Sequence, residues 1–553
     1  MMNQPERKRC TEMLDLHQKT ADIVAGRRTF EPSYPYITPD YQVPFLHIGT
    51  EKQLFLDNYI LDHLDDTNRV IVKPHRPDEP VLTVGDLPWE RERGAILSAV
   101  LDDPETGQLK LWYVQHLSSD CNDRNMVLCY AESTDAIHWE KPLRTTCIPY
   151  QKHEATNIVL ADSGQHIGLV LNHDQSDPSR RYLMVYNPAG KARERGERTM
   201  SSMAISPDGV GWTVLNEDTP LRHHHFQRII WDEAIQKWVA YSQYSHHWNP
   251  LQRKRQVGRQ ESIDFVHWSP KEVMLSVEWD ANLPPDLEFH DMSVRKVGGL
   301  YIGITGEFMA EPVWCVRDGA NWRDFAYSRL GLYTSRDGKR WQRVGGAEPW
   351  LDNGDPGSLD YGFASTTAAG QIIRSGHTFI YYSARAEKQH WYGRGAPPTP
   401  LVPEEEAKRR NRRWEDLQRA MGGHLRRDCT VGVLSLREDG WAKLVPKYEH
   451  GLVYTRQFVF EGATLEINAD CSGGYVQVGA LDPYFRPYPG FSAEECDPVF
   501  NESQAQIWHT VRWHGNSDVR SLWNKPVRLC LHLHQASAYG FQFQHTSQRV
   551  DPE

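Results

Sequence analysis

Short apolar runs recur along this chain in a fixed order, and their alternation has the period of half-buried strands. The first kind of run is ILSAVLDD (96–103), IGLVLNHD (167–174), FQRIIWD (226–232), DMSVRKV (291–297) and FASTTAAGQII (363–373). A second follows each of them: LKLWYVQ (109–115), RYLMVYN (181–187), KWVAYSQ (237–243), LYIGITG (300–306) and TFIYYSA (378–384). A third, seen as MVLCYAES, RTMSSMAIS, GLYTS (331–335) and CTVGVLS (429–435), leads into a turn. Four such turns read Ser-x-Asp-x-x-x-Trp: Ser133/Asp135/Trp139, Ser206/Asp208/Trp212, Ser262/Asp264/Trp268 and Ser335/Asp337/Trp341. A degenerate fifth ends at Asp439-Gly440-Trp441.

Each unit therefore reads as four antiparallel strands with an Asp-bearing turn before the last. Such a sheet cannot bury both faces alone, and radial stacking of the units solves that. The expected fold is all-β: a five-bladed β-propeller over 46–445, followed by a C-terminal β-sandwich over 446–553, where TLEINA, GYVQVGAL and PVRLCLHLH alternate cleanly. Residues 1–45 are expected to be a short, partly helical extension. The segment Leu54–Ile60 is expected to add a strand to the ring, and 404–423 to be a helical insertion in the fifth unit. An Asp repeated in every turn is expected to bond backbone amides, with the Trp wedged between neighbouring sheets; catalysis has no use for five copies of one residue.

Composition narrows the function. Among 553 residues, 39% are apolar and 24% charged, and no apolar run reaches the length of a membrane span, so a membrane-embedded role is not expected. The balance of 62 basic against 73 acidic residues, net −11, argues against a nucleic-acid partner. The 9 cysteines include no CxxC pair and are odd in number, so neither a zinc site nor a disulfide framework is expected; with a charged start lacking an apolar leader, a cytoplasmic protein is expected. Aromatic residues make up 11% of the chain, which suits either sugar-facing walls or packing between sheets.

In a propeller, the residues just before each innermost strand and the loops between second and third strands share one face. The ionisable groups there are candidates for chemistry. Glu90, Glu92, Asp291 and Asp360 lead, with Glu307, Glu288 and Asp57 behind them. Carboxylates converging from distant units suit glycosidic chemistry, where one must be protonated and another ionised. Asp291 or Asp360 is expected as base and Glu92 or Glu307 as acid. Against this, Glu90 and Glu92 alternate with Arg91 and Arg93 and can serve as ion-pair partners alone, and Asp360 can cap a turn. His224, Arg228, Trp89, Asn157, Tyr361, Arg385, His390 and Trp248 are candidates for binding substrate. The run His223–His225 would need ligands from other units to hold a metal, so no metal or cofactor is expected.

The LFLDNYI lead-in, the Pro88-Trp89-Glu90 element, the LKLWY strand, the SRDGKRW turn and the C-terminal GFSAEECDPV and KPVRLCLHLHQASAYGFQF segments resemble the five-bladed propeller glycoside hydrolases of families 32 and 43. That resemblance implies a carbohydrate substrate, a central pocket and an ancillary sandwich. The Asn-Asp-Pro-Asn-type nucleophile motif of family 32 is not visible here, and histidines stand where an Arg-Asp-Pro is common, so no individual role is carried over. The implied activity is hydrolysis of a small oligosaccharide or glycoside. A glycoside phosphorylase and a non-catalytic carbohydrate-binding propeller are the alternatives.

Overall fold

The computed structural model describes residues 45–545 except 83, 91, 118–125, 165–166, 189–200, 217–226, 246–254, 285–286, 311–324, 356–357, 367–369, 387–388, 391–428, 502 and 504–505. The expected N-terminal helical lead and the 404–423 insertion lie outside them. Among the described residues the chain is all-β, with helix limited to single turns such as Pro178–Arg180, Val277–Trp279 and Arg520–Leu522. No helix of the described residues is long and apolar enough to cross a membrane. Two compact units divide the chain: Lys73–Lys296 with Leu300–Glu438, and Met1–Val72 with Val297–Gly299 and Asp439–Glu553.

The larger unit is built from antiparallel groups in chain order. Strands Glu92–Asp103, Gln108–His116, Met126–Ser133 and Ile158–Ala161 form the first. Gly168–Leu171, Tyr182–Tyr186, Ser202–Ser206 and Thr213–Asn216 form the second, and Gln227–Asp232, Lys237–Ser245, Arg255–Ser262 and Glu272–Leu275 the third. The fourth group (Leu287–Val297, Leu300–Ala310, Phe325–Ser335, Gln342–Arg343) and the fifth (Phe363–Ser365, Gln371–Arg374, His377–Arg385, Thr430–Arg437) belong to one nine-stranded sheet. A parallel bridge, Ser328 to Phe363, joins them. The run 363–373, read from sequence as one strand, is two short ones.

The turn pattern acts locally. Asp135 Oδ1 accepts from the amides of Ile137 and His138, and Asp208, Asp264 and Asp337 repeat this at the same offsets. The residue after each Asp takes a positive φ: Ala136 at 74°, Gly209 at 81°, Phe265 at 67° and Gly338 at 66°. The carboxylate's short reach sets up that reversal, and glycine tolerates it best.

Those turns also receive side chains from the preceding group. Trp112 Nε1 donates to Gly209 O at 2.8 Å, Tyr241 OH to Gly338 O at 2.9 Å, and Tyr381 OH to Ala136 O at 2.7 Å. The His173 ring stacks on Trp231 at 3.4 Å between the second and third groups. Ser328 Oγ donates to Ala364 O at 2.7 Å between the fourth and fifth. The fifth returns to the first, where Ala95 N donates to Cys429 O at 2.7 Å. Each group thus contacts the next, and the last contacts the first.

Acid–base clusters reinforce two of these seams. Asp103, ending the first strand of the first group, accepts from Tyr182 OH at 2.6 Å, pairs with Lys110 at 2.9 Å and bonds Arg181. Asp232, at the same place in the third group, pairs with Lys296 at 2.6 Å and bonds Tyr301 OH.

The outer edge of the fifth group is supplied from far upstream. His75 exchanges backbone hydrogen bonds with Ser435 at 2.8 and 3.0 Å, and Val81 N donates to Val431 O at 2.9 Å. The sequence-based expectation gave the joining strand to Leu54–Ile60. In fact Gln53–Leu54 pairs with Ser537–Gln544, in the smaller unit. That unit holds a six-stranded sheet containing Thr464–Asp470 and Ser537–Gln544, and a four-stranded one containing Tyr475–Leu481 and Arg528–His534. One apolar cluster, with Phe55, Phe458, Phe541, Val478 and Leu531, draws on both.

Candidate active site

Five acids named from the sequence are fully or almost fully buried: Glu90, Glu288, Asp291, Glu307 and Asp360. A buried carboxylate needs partners, and the identity of those partners separates structural acids from chemical ones.

Glu90 accepts from Tyr113 OH and from Lys141 Nζ at 2.7 Å. Tyr113 OH in turn accepts from Asn157 Nδ2 at 2.8 Å, and Trp89 Nε1 donates to Asn157 Oδ1 at 2.8 Å. Trp89, Glu90 and Asn157 therefore satisfy one another, and the Trp89 ring packs edge-on against Tyr150 at 5.9 Å. The ion pair weighed for Glu90 exists, but with Lys141. Glu307 is held by Arg343 Nε and Nη2, both at 2.8 Å, and accepts from Tyr333 OH at 3.0 Å, with Arg329 Nε at 3.6 Å. A carboxylate clamped by a two-point arginine contact has its oxygens taken up by the protein, which does not suit the acid role considered for it. Asp360 accepts from Arg76 and Tyr382 OH, both at 3.2 Å, and from Ser358 Oγ at 3.2 Å.

Asp291 differs. Its Oδ1 accepts from Gly306 N at 3.0 Å, its Oδ2 from Ser365 Oγ, and His290 Nδ1 lies 3.2 Å from Oδ2. Among the described contacts it is bonded only to neutral amide and hydroxyl donors and an imidazole. The group crosses the seam between the fourth and fifth strand groups, from within Leu287–Val297 to the last residue of Phe363–Ser365.

His290 retains 8% exposure where Asp291 has none, so the imidazole is the nearer of the two to solvent. Its ring stacks near Phe308 at 5.9 Å and meets Phe363 edge-on at 5.4 Å. Two guanidiniums lie over those rings, Arg255 over Phe308 at 4.5 Å and Arg385 over Phe363 at 5.3 Å. Arg255 Nε lies 3.7 Å from Glu288 Oε2, and Arg385 Nε donates to Cys429 Sγ at 3.0 Å. Burial lowers the His290 imidazole from its ordinary value; the bond to Asp291 pulls back, and the charges of Arg255 and Arg385 add to the lowering. A neutral imidazole oriented by a carboxylate can accept a proton.

The other sequence candidates lie elsewhere. Arg228 Nε donates to Val294 O at 3.3 Å, and burial pushes its guanidinium down to about 10. Tyr361, half-buried, follows Asp360. Asp57 accepts from Tyr59 N at 3.0 Å in the smaller unit. Glu92 opens the first strand, paired with His116, and His390 pairs with Phe325; their side chains lie outside the described ones. His224 and Trp248 lie outside the described residues altogether. Among the described residues, no group of three or more His, Cys, Asp or Glu converges to hold a metal ion. Sequence reasoning passed over Arg255, Phe308, Phe363 and Ser365, which no local motif marks.

No protein-family model matches the chain, and no curated protein matches it. Solved structures similar to it include a thermostable family-43 glycoside hydrolase, at 14% identity, covering 58% of this chain and 97% of that one, TM-score 0.35. They also include the GH32 beta-fructofuranosidase of Bombyx mori, at 13% identity, covering 86% and 94%, TM-score 0.35. Family-43 and family-32 glycoside hydrolases are thus among its likenesses. A third is an N-acetylgalactosamine deacetylase from F. plautii, solved with blood group B trisaccharide, at 14% identity, covering 68% and 95%, TM-score 0.38.

Proposed function

We propose that this chain is a glycoside hydrolase acting on a small oligosaccharide or glycoside. In this reading the larger unit is a five-bladed β-propeller and the C-terminal strands form a β-sandwich. The unbroken circuit of contacts from the first strand group to the fifth and back supports the propeller, as does the closing pairing of His75 with Ser435. The two sheets sharing one apolar cluster support the sandwich. Six described cysteines are free and buried, which fits a reducing, cytoplasmic setting.

The observation that carries the chemistry is the environment of Asp291. The other buried candidate acids, Glu90, Glu288, Glu307 and Asp360, each lie within reach of an arginine or lysine, whereas Asp291 holds an imidazole. His290 handles the proton at the site, and Asp291 is its positioning residue. Glu92, at the start of the innermost strand of the first blade, is the carboxylate that completes the pair required for glycosidic cleavage. One group protonates the leaving oxygen while the other activates water.

The test is turnover of a panel of 4-nitrophenyl glycosides by the full chain and by Asp291→Asn and His290→Gln, with folding checked by circular dichroism. Both variants are expected to lose about 10²–10⁴-fold in kcat. Wild-type turnover in both would overturn the assignment. Turnover that requires inorganic phosphate would make the enzyme a phosphorylase. Binding of glycosides without any turnover would make it a carbohydrate-binding propeller.

A further inference from the structure

The walls of the His290 site are cationic, although the chain as a whole carries a net charge of −11. Two arginines flank one imidazole, each laid on a phenylalanine ring. Phe308 and Phe363 are themselves buried, so these rings serve as platforms for guanidiniums and not as walls for a sugar face. The two arginines are not equivalent. Arg255 has Glu288 beside it at 3.7 Å, so its charge is answered within the protein. Arg385 is partly exposed, and its Nε is occupied by the sulfur of Cys429 at 3.0 Å. Among the described residues no carboxylate pairs with Arg385. The sulfur occupies the Nε side, and among the described residues nothing bonds the end-on pair of Nη groups. That fork matches the two oxygens of a carboxylate.

We propose that the site takes an acidic sugar, a uronic acid or uronide, whose carboxylate is seated on the Nη edge of Arg385 at the seam between Phe363 and His290. This rests on the reading of the site as a carbohydrate site and adds the substrate class. Stacking on Phe363 and the bond to Cys429 hold the guanidinium in place before the ligand arrives, so little rotamer freedom is lost on binding. A neutral hexose would leave that fork unanswered, and the mismatch sets the discrimination.

The experiment is calorimetric titration of the full chain with D-glucuronate, D-galacturonate, their neutral parents D-glucose and D-galactose, and inorganic phosphate. Arg385→Ala and Arg385→Lys are titrated alongside, and thermal melting of each variant reports folding. At least one uronate is expected to bind about tenfold or more tightly than its neutral parent. That preference is expected to vanish in Arg385→Ala and to weaken in Arg385→Lys, where the charge remains but the fork is lost. Equal binding of uronate and neutral parent would overturn the proposal, as would a preference that survives Arg385→Ala. Binding of phosphate with no binding of uronate would also overturn it. Hydrolysis of 4-nitrophenyl glucuronide and glucoside is followed in parallel. Cleavage of neutral glycosides without any uronate preference sinks the acidic-sugar assignment and leaves the hydrolase; uronate preference without hydrolysis sinks the hydrolase and leaves this assignment.

Discussion

Replacing Asp103 by Asn should destabilise the seam between the first and second strand groups severely. Asp103 is 1% exposed, and its carboxylate answers two cations and a phenol: Lys110, Arg181 and Tyr182. Lys110 is itself only 7% exposed at its side chain, so it cannot turn to water when its carboxylate is removed, whereas Arg181 keeps Glu105 as a second partner. Breaking a buried pair from one side costs about 3–5 kcal/mol, because the remaining charge stays uncompensated. In a unit of this size that amounts to a melting-temperature loss of several degrees. The pH dependence follows from the same contacts. Burial pushes the Asp103 carboxyl up, but hydrogen bonds from Tyr182, Lys110 and Arg181 outweigh it and hold the group well below the ordinary carboxylate range. A carboxyl depressed in the folded state contributes stability above its unfolded value, near pH 4, and loses it as the pH falls from there toward the folded value. Urea unfolding and thermal melting of both proteins between about pH 2 and pH 7, a span that takes in the upper part of this loss, check it. The wild type should lose more stability than Asp103→Asn on acidification. Superimposable curves, or a variant melting within about 1 °C of wild type at neutral pH, would refute the reasoning.

Three further outcomes follow from the same structure. Glu307→Gln should unfold at lower urea concentration by about 3–5 kcal/mol, since Arg343 loses its two-point partner; a variant inactive yet as stable as wild type would return Glu307 to the chemistry. Gly338→Ala should cost at least about 1–2 kcal/mol by melting, because φ is +66° and a Cβ would come within 2.6 Å of Tyr241 Oη; an unchanged melting temperature would contradict the turn geometry. Burial pushes the Cys496 and Cys530 thiols up to about 11, so iodoacetamide at pH 8 should label them only after unfolding, as read by peptide mass spectrometry.

The strand runs were legible because alternation is a property of neighbouring residues. The Ser-x-Asp-x-x-x-Trp turns were legible for the same reason, since Asp135 reaches only to Ile137 and His138. Long-range partners were not. Glu90 stands between two candidate arginines in sequence, yet its cation is Lys141, 51 positions on. The segment from His75 to Leu82 contains prolines and no alternation, so nothing marked it as the edge strand that pairs with Thr430–Arg437. His290 and Asp291 are adjacent on a strand, and the simple alternation rule sends them to opposite faces; their contact at 3.2 Å depends on side-chain torsions that the rule ignores. Arg385 was visible as a candidate, but its aromatic platform and its sulfur partner come from Phe363 and Cys429, which only folding brings to it.

The joining of His75–Leu82 to the strand Thr430–Arg437 bears on how this protein is made. Thr430 Oγ1 meets Leu82 O across 348 positions of chain. A ribosome adding about 5–20 residues per second needs on the order of 20–70 s to deliver the second partner after the first. Throughout that interval the nascent chain carries a strand with no mate and a stack of sheets with an open side. Such edges invite pairing with other chains. Expression at low temperature, which slows collision between unfinished copies, should therefore raise the soluble yield more than codon changes confined to the first strands.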